Sequence, residues 1–367
     1  TALLGYQILV TRHSEIYNVG MSMSIGDVGE FGVIDSIRSL VSGCAVPDTG
    51  MGHDLVLGIG DDGAVWTDGY SQVIATTDTM VEGVHFQHHL ISWGDLGWKA
   101  ITVNVSDIAA MGGTPLYALV TVGLPRDTEM ESIHDFYTGL LSACKEYGCC
   151  VVGGDLVRSP VTFVTIALTG VATEQLLRRD QCKLGDVIAV TGPLGCSAAG
   201  LDILLNGDPL EQESNFHLVK CHTRPVARLD AVQILLESGV NAAMDISDGL
   251  VADLQKMCLS SDVDALVYAK DIPVDRFLKD SRPVNYLQYA INGGEDYEIL
   301  FSGNRQIVEE VVGKLNGEAK IIGCIMGHDK NCQNPGANIS PGDTRVRILD
   351  EINGLMPIQS HGWDHFS

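Results

Sequence analysis

Seven aspartates lie in short glycine- or serine-flanked segments that are spread over both halves of the chain. The sequence shows no recognisable lysine-bearing phosphate loop beside them. A nucleotide would therefore be held mainly through metal ions that bridge carboxylates and phosphate oxygens. This requires a fold that brings distant segments to one pocket, and it predicts magnesium-dependent phosphoryl chemistry. The segments are Gly60-Asp61-Asp62-Gly63, Thr76-Thr77-Asp78, Asn104-Val105-Ser106-Asp107, Gly153-Gly154-Asp155 and Asp245-Ile246-Ser247-Asp248.

Three of these acidic segments follow runs typical of β-strands. We predict a strand over 73–77 that ends at Asp78, a short strand over 150–152 that ends before Gly153-Gly154-Asp155, and a strand leading into Asp245. Ser247 is also suited to cap a helix over 248–259. Acids at strand ends in both halves of the chain favour a shared site over isolated turns.

A further acidic segment lies within a predicted helix over residues 97–111. Ile101, Val105 and Ile108 recur at helical spacing and form an apolar stripe, while Asn104 and Asp107 fall on its flank. We therefore expect Asp107 to reach a site while its helix stays packed.

The length of 367 residues, 45% of them hydrophobic, predicts two domains. A polar, irregular stretch over 173–185 places the boundary near residue 175. We expect an N-terminal extension over 1–29, a first domain over 30–174 and a second α/β domain over 175–367. The net charge of -24 argues against nucleic-acid partners and anionic membranes.

Ten cysteines at irregular spacing form no paired zinc motif, so we expect reduced thiols in a cytoplasmic protein. No apolar run reaches the roughly 18 residues of a membrane span. Residues 1–20 lack the basic leading region of a secretory signal, and we expect them to be an appendage.

Taken together, the motifs resemble the thiamine-monophosphate kinase family. This family lies within the superfamily of aminoimidazole-ribonucleotide-synthase-like ATP-binding proteins. The resemblance runs from about Glu30 to Phe366. It departs from the family at Gly63, where alanine is usual, and in the leader 1–20. Besides the acidic segments, the matching segments are Val81-Glu82-Gly83-Val84-His85-Phe86, Lys99-Ala100, Ile108-Ala109-Ala110-Met111-Gly112, Gly249-Leu250, Gly293-Gly294-Glu295-Asp296-Tyr297-Glu298 and Gly362-Trp363-Asp364-His365-Phe366.

The resemblance implies an α/β (α+β) protein of two domains with its active site in the cleft between them. An N-terminal mixed sheet with helices would form a homodimer. The cofactors would be several Mg²⁺ ions, with ATP and thiamine monophosphate as substrates. The implied nucleotide contacts are Gly154, Asp155, Arg179 and Ser247, and the implied substrate contacts are His85, Glu295 and Trp363. The implied metal ligands are Asp62, Thr76, Thr77, Asp78, Asp107, Asp155, Asp245 and Asp248.

The chemistry is consistent with this family. A phosphomonoester is mostly dianionic at neutral pH, so the attacking phosphate needs little help from a general base. Repulsion between two anionic reactants is the obstacle, and bound cations screen it. We therefore predict direct in-line transfer to give thiamine diphosphate, the last step of its biosynthesis, with no covalent or general-base residue.

Other interpretations remain open at this point. Arg179 beside Arg178 is compatible with a surface pair, Trp363 with a packing anchor, and His85 with a structural role. An aminoimidazole ribonucleotide synthase would share the ATP machinery. Selenophosphate synthase would carry a reactive cysteine or selenocysteine near its N-terminus, and the hydrogenase-maturation relative a C-terminal cysteine. Cys332, the last cysteine, is far from Ser367. A non-catalytic nucleotide or thiamine-phosphate sensor is a further alternative.

Overall fold

The computed structural model describes residues 32–35, 37–40, 54–172, 175–315, 317–327, 345–350, 352 and 354–356. The chain divides into two compact units, residues 45–363 and residues 1–44 with 364–367. In the smaller unit, residues 32–35 and 37–40 are helical and form α1. The predicted extension over 1–29 and the predicted substrate contact Trp363 lie outside the described residues.

The N-terminal half of the larger unit contains a six-stranded sheet in the order β1-β2-β3-β6-β4-β5. Neighbouring strands are antiparallel except for the parallel pair β4 and β5. Strand β5 therefore forms one edge of the sheet. The strands are β1 Leu55–Leu57, β2 Ala64–Thr67, β3 Gln72–Val81, β4 Thr114–Leu124, β5 Cys150–Arg158 and β6 Phe163–Ala172.

Two helices, α2 (Trp93–Ala110) and α3 (Met130–Tyr147), pack with this sheet. Ser92 caps α2 by accepting a hydrogen bond from the amide of Asp95 at 3.1 Å. The two helices approach closely at glycines, since a Cβ on Gly97 would lie 2.0 Å from the carbonyl oxygen of Phe136. The predicted stripe of Ile101, Val105 and Ile108 is fully buried. Most other residues of α2 are buried as well, so packed neighbours surround much of the helix.

The C-terminal half contains a seven-stranded mixed sheet in the order β13-β12-β9-β11-β7-β10-β8. Its strands are β7 Val187–Val190, β8 Ala242–Asp245, β9 Asp264–Tyr268, β10 Ile299–Gly303, β11 Lys320–Met326, β12 Val346–Asp350 and β13 Gly354–Leu355. Its helices are α4 Cys196–Asn206, α5 Glu213–Thr223, α6 Leu229–Glu237, α7 Leu250–Ser261, α8 Arg276–Ser281, α9 Tyr286–Asn292 and α10 Arg305–Lys314.

The two sheets with their helices confirm the predicted α/β class. Helix α2 also contacts β8 of the second sheet, and Ala109 of α2 shares a buried cluster with Ala189 and Phe301. The helix thus spans the junction between the two halves. In the described part of the chain, no helix is long and apolar enough to cross a membrane, and none of the eight described cysteines is in a disulfide.

Two predicted strand ends are wrong. Asp78 lies inside β3, whose pairing with β6 continues to Val81, so the strand does not stop at the acid. Strand β5 likewise runs through Gly153-Gly154-Asp155 to Arg158. The pairing with β4 skips Val152, because Ala118 pairs with Val151 and Leu119 with Gly153, and Gly154 has a φ of +156°. A β-bulge lets a strand pass through residues that read locally as a turn.

The predicted cap at Ser247 is also wrong. Helix α7 begins at Leu250, and its N-cap residue is Gly249, without a side-chain cap. The side chain of Asp253 instead accepts hydrogen bonds from the amides of Asp248 and Gly249, each at 3.0 Å.

Candidate active site

Three aspartates from separate segments meet at the junction of the two halves. Asp62 comes from the loop between β1 and β2, Asp107 from the last turns of α2, and Asp245 from the end of β8. Each offers a carboxylate oxygen, and these atoms all lie within 4.8 Å of one another. Asp62, Asp107 and Asp245 are called the carboxylate triad below. These three are among the eight metal ligands that the resemblance implies.

The triad concentrates negative charge in a place with little solvent. Burial raises the pKa of Asp107 well above its ordinary value, and the charges of Asp78, Asp245 and Asp62 raise it further. Burial and the charge of Asp62 likewise raise the pKa of Asp245. Among the described residues, the buried Oδ2 of Asp62 has no hydrogen-bond partner. Carboxylate oxygens that repel one another, one of them unpartnered, fit a hard divalent cation such as Mg²⁺.

Short hydrogen bonds orient the triad and its neighbour Asp78. The hydroxyl of Thr76 donates to Oδ2 of Asp107 at 2.5 Å, and that of Ser106 donates to Oδ2 of Asp245 at 2.6 Å. The amide of Asp78 donates to the side-chain oxygen of buried Asn104 at 3.1 Å. These bonds leave defined carboxylate oxygens facing the site.

Thr77 points differently from Thr76, as expected for adjacent residues of a strand. Its side-chain hydroxyl donates to the carbonyl oxygen of Ile166 at 3.0 Å, and the residue is exposed. Through that bond its hydroxyl faces β6, whereas the hydroxyl of Thr76 faces α2.

Arg179 pairs with the tandem aspartates of the loop between β1 and β2. Its Nε lies 3.1 Å from Oδ1 of Asp61, and its Nη2 contacts Oδ1 of Asp62. Burial opposes the charge of this guanidinium, but Asp62 and Asp61 raise its pKa overall. Burial and Asp62 raise the pKa of Asp61 to about 6, although Arg179 acts in the opposite direction. The surface-pair interpretation of Arg179 is therefore wrong, because this side chain is only 14% exposed and faces the site.

Asp248 is held by a buried network at the start of α7. Lys256 Nζ lies 2.5 Å from Oδ2 of Asp248 and 2.8 Å from Oδ1 of Asp253. Burial works against the Lys256 charge, but Asp253 and Asp248 together raise the pKa of this lysine. Ser247 is half-buried, and its carbonyl oxygen accepts from the amide of Glu295 at 2.8 Å. Ser247 and Asp248 thus follow the triad residue Asp245 directly in the chain, by two and three positions.

The structure does not bring Asp155 to the triad. In the sheet Asp78 pairs with Ile166, Ile166 with Val120, and Val120 with Gly154, so Gly154 is three strands away from Asp78. At the usual strand spacing this is about 14 Å. Gly154 and Asp155 are exposed on the edge strand β5.

His85 lies in the turn that follows β3. Its Nδ1 is 3.0 Å from the amide nitrogen of Val81, which donates to it. A neutral His85 then carries its proton on Nε2, which is the arrangement required for donation to an anionic ligand.

Glu295, the other described substrate-contact candidate, lies in a network that sequence reasoning missed. Its carboxylate oxygens each lie 2.9 Å from Nζ of Lys99, and Oε2 is 3.2 Å from Nδ1 of His222. Lys99 is only 1% exposed. Burial acts against ionisation of Glu295, but Lys99 and His222 together lower its pKa to about 2. No sequence signal pointed to this network, because Lys99 lies in the first turn of the predicted helix, away from its apolar stripe, and Glu295 is 196 positions away.

Family models match most of the chain. The model described as AIR synthase related protein, N-terminal domain, matches residues 60–173, and the model for the C-terminal domain matches residues 183–331. Solved structures of hydrogenase maturation protein HypE share this fold at low identity. The HypE complex with ATP has a TM-score of 0.64 at 18% identity and covers 90% of this chain and 97% of that one.

Closer similarity is to thiamine-monophosphate kinases. The enzyme of Aquifex aeolicus (strain VF5) is 38% identical over 94% of this chain and 100% of its own length. That of Escherichia coli (strain K12) is 36% identical over 74% of this chain and 84% of its own. A structure described as AaThiL complexed with AMPPCP and TMP has a TM-score of 0.78 at 32% identity and covers 94% of this chain and 100% of that chain. The chain is therefore a kinase of the thiamine-monophosphate kinase family.

Proposed function

We propose that this protein transfers the terminal phosphoryl group of ATP to thiamine monophosphate, with Mg²⁺ ions held by its aspartates, and releases thiamine diphosphate and ADP. The carboxylate triad carries this proposal, because three carboxylates with oxygens within 4.8 Å of one another are suited to hold a divalent cation. Asp78, Asp155, Asp248, Thr76 and Thr77 complete the proposed ligand set. We infer a cytoplasmic location, where ATP is available.

The protein residues orient and screen the reactants. Bound Mg²⁺ would neutralise the phosphate charges and stabilise the transferring phosphoryl group. Arg179, which pairs with Asp61 and Asp62, would contact a nucleotide phosphate together with Ser247. His85 donates from Nε2 to the acceptor phosphate. The dianionic acceptor attacks in line, so no side chain has to remove a proton from it.

Glu295 is the proposed contact for the aminopyrimidine of the acceptor, and Trp363 for its cationic thiazolium ring or the pyrimidine. A carboxylate that accepts from Lys99 and His222 is still 31% exposed, so lone pairs remain for a ligand N–H group. Lys99 and Asp107 belong to the same helix. Helix α2 would thus contribute to both the acceptor site and the metal site.

We also propose a homodimer that forms through the N-terminal sheet of the domain over 30–174. Strand β5 is an edge strand, and apolar side chains of β4 and β5 are exposed along this edge. Apolar edges of this kind favour pairing with a second copy. A dimer of this kind would give Gly154 and Asp155 a role in nucleotide and metal binding that they do not reach within one chain. The exposed apolar residues are Leu119, Val152, Leu156 and Val157.

A coupled assay for ADP release, with ATP, Mg²⁺ and thiamine monophosphate, tests the proposed activity. Chromatography must identify thiamine diphosphate, and free thiamine serves as the acceptor control. ADP without thiamine diphosphate would indicate another reaction of the superfamily, such as aminoimidazole ribonucleotide synthesis, and binding without turnover would indicate a sensor.

Asp107→Asn tests the triad in the same assay. We expect turnover to fall by at least about 100-fold, because the variant loses one negative ligand oxygen at the reaction centre. The exposed Asp135 on α3 supplies the matched control, Asp135→Asn, which should retain normal rates. A folded Asp107→Asn protein with a normal rate would refute the proposed metal site.

A further inference from the structure

Lys99 extends from α2 toward Glu295, the proposed contact for the acceptor, and is buried. Its ammonium lies 2.9 Å from Oε1 and 2.9 Å from Oε2 of Glu295, so it bridges both carboxylate oxygens. At 1% exposure, Lys99 is not accessible to a ligand. Any effect of this lysine on a substrate must therefore act through Glu295.

His222 completes the arrangement from α5. Its Nδ1 lies 3.2 Å from Oε2 of Glu295 and 3.1 Å from Oγ of Ser197. A carboxylate can only accept, so we assign the His222 proton to Nδ1. Burial and the neighbouring Lys99 charge lower the pKa of His222, which keeps the ring neutral. Glu295 therefore receives two donors from the protein interior.

The backbone of Glu295 is also fixed. This residue has a φ of +64° and Tyr297 a φ of +52°, which is a left-handed conformation that side chains other than glycine seldom adopt. Hydrogen bonds from the amide of Glu295 to Ser247 at 2.8 Å and from Tyr297 to Ile246 at 2.9 Å hold the segment in this form. Strained backbone of this kind persists where the surroundings determine it, often at ligand sites.

We propose that Lys99 is a positioning residue that makes the acceptor site specific for an amino group, by holding Glu295 as an oriented anion that can only accept hydrogen bonds. This inference rests on the proposed function. The carboxylate would accept from the exocyclic amine of the aminopyrimidine. An analogue with a carbonyl oxygen in place of that amine would face the anion with a second acceptor and be rejected.

Initial-rate kinetics of Lys99→Met test this role. We expect the KM for thiamine monophosphate to rise roughly 10- to 100-fold, the size associated with a lost charge-assisted hydrogen bond. The KM for ATP should stay within about 2-fold, because the triad and its partners are untouched. A merely structural loosening of α2 would instead disturb Ser106 and Asp107 and raise both constants.

The second readout is the preference of the protein between two acceptors. The wild-type protein should prefer thiamine monophosphate over oxythiamine monophosphate, which carries a 4-oxo group where thiamine has its amine. Lys99→Met should lose most of this preference, and so should Glu295→Gln. Combining the two substitutions should cause no further loss if Lys99 acts through Glu295. Lys314→Met, which removes a surface ammonium paired with Glu310, is the matched control and should behave like the wild type.

The double variant Lys99→Met/Glu295→Gln keeps the test valid if Lys99→Met alone fails to fold. Lys99→Met alone leaves Glu295 without its counter-charge, whereas the double variant removes both charges of the pair and leaves none unpaired. A folded double variant that still prefers the amine would overturn the inference, as would a Lys99→Met protein with unchanged KM and preference.

Calorimetric binding separates this inference from the proposed function. If the wild type binds thiamine monophosphate without turnover, the proposed kinase activity fails, and the same variants test Lys99 through affinity. If the wild type shows no binding of thiamine monophosphate, the proposed function and the role of Lys99 are both refuted. Turnover with an unaffected Lys99→Met variant would refute the role of Lys99 alone.

Discussion

Ser106 Oγ donates a 2.6 Å hydrogen bond to Oδ2 of Asp245, joining α2 to the end of β8 across 139 positions of sequence. Both residues are buried, with exposures of 1% and 2%. The next residue of the helix, Asp107, belongs to the triad together with Asp245. One turn of α2 thus supplies a carboxylate to the proposed metal site and orients another.

Ser106→Ala should weaken Mg²⁺-ATP binding by roughly 10- to 100-fold, the usual cost of losing a hydrogen bond that orients a ligand. Buried Asp245 would lose its donor, and solvent has little access to replace it. Isothermal titration with Mg²⁺ and a non-hydrolysable ATP analogue measures the change. Ser142→Ala, at an exposed serine of α3 that bonds to the carbonyl oxygen of Thr138, should bind normally. Equal affinities for the two variants would contradict the orienting role.

Gly154→Ala should destabilise the protein by about 2 kcal/mol or more, through backbone conflict and an unfavourable φ. The added Cβ would lie 1.9 Å from the carbonyl oxygen of Val120, and backbone cannot retreat as a side-chain tip can. At Gly153 the nearest atom to an added Cβ is a side-chain carbon of Leu119 at 3.3 Å, so Gly153→Ala is the matched control. Urea unfolding measures the stability of both variants, and similar losses would argue against a close backbone approach at Gly154.

Glu295→Gln should change how stability depends on pH. The folded pKa of about 2 lies below the ordinary 4.5, so the native protein favours the ionised form. The resulting stabilisation is fully present above about pH 4.5 and is lost as pH falls toward about 2. It amounts to about 2 to 3 kcal/mol at neutral pH. Unfolding of wild type and variant at several pH values should show a difference that shrinks on acidification. A difference that grows instead would mean that Lys99 and His222 do not stabilise the anion.

Leu156→Lys should convert the proposed dimer to a monomer, because a charge would enter the apolar edge along β5. Leu156 is 69% exposed in the single chain, and Leu205 on α4 is similarly exposed at 60%. Leu205→Lys is therefore the control. Sedimentation velocity measures the mass of each, and a dimer that survives Leu156→Lys would place the interface elsewhere.

Elements with a regular local pattern of apolar residues, such as helix α2, were predicted best from the sequence. Helix α2 begins four residues before the predicted start and ends one residue before the predicted end, because its buried stripe of Ile101, Val105 and Ile108 has an unambiguous period. The acids of β3 and β5 were placed at strand ends because glycine and aspartate read as turns when taken alone. Cross-strand pairing and a bulge decide otherwise, and both depend on residues far along the chain.

The network around Glu295 could not be predicted from spacing. Lys99 and Glu295 are 196 positions apart, and only the folded chain shows that one compensates the other. The same holds for Arg179, whose partners Asp61 and Asp62 lie 118 and 117 positions earlier. In contrast, Asp62, Asp107 and Asp245 were already among the eight metal ligands that the resemblance implies, because their motifs match in family order.

Helix α2 places Lys99 and Asp107 on one rigid rod, eight residues apart. At 1.5 Å per residue, the two positions are separated by about 12 Å along the axis. Backbone hydrogen bonds set that length, so side-chain replacement cannot stretch or shorten it. The helix therefore fixes the distance between Lys99, the proposed positioning residue of the acceptor site, and Asp107, a proposed metal ligand. A longer or shorter acceptor would therefore require changes in the loops around the site, because the length of the helix between these two residues is fixed.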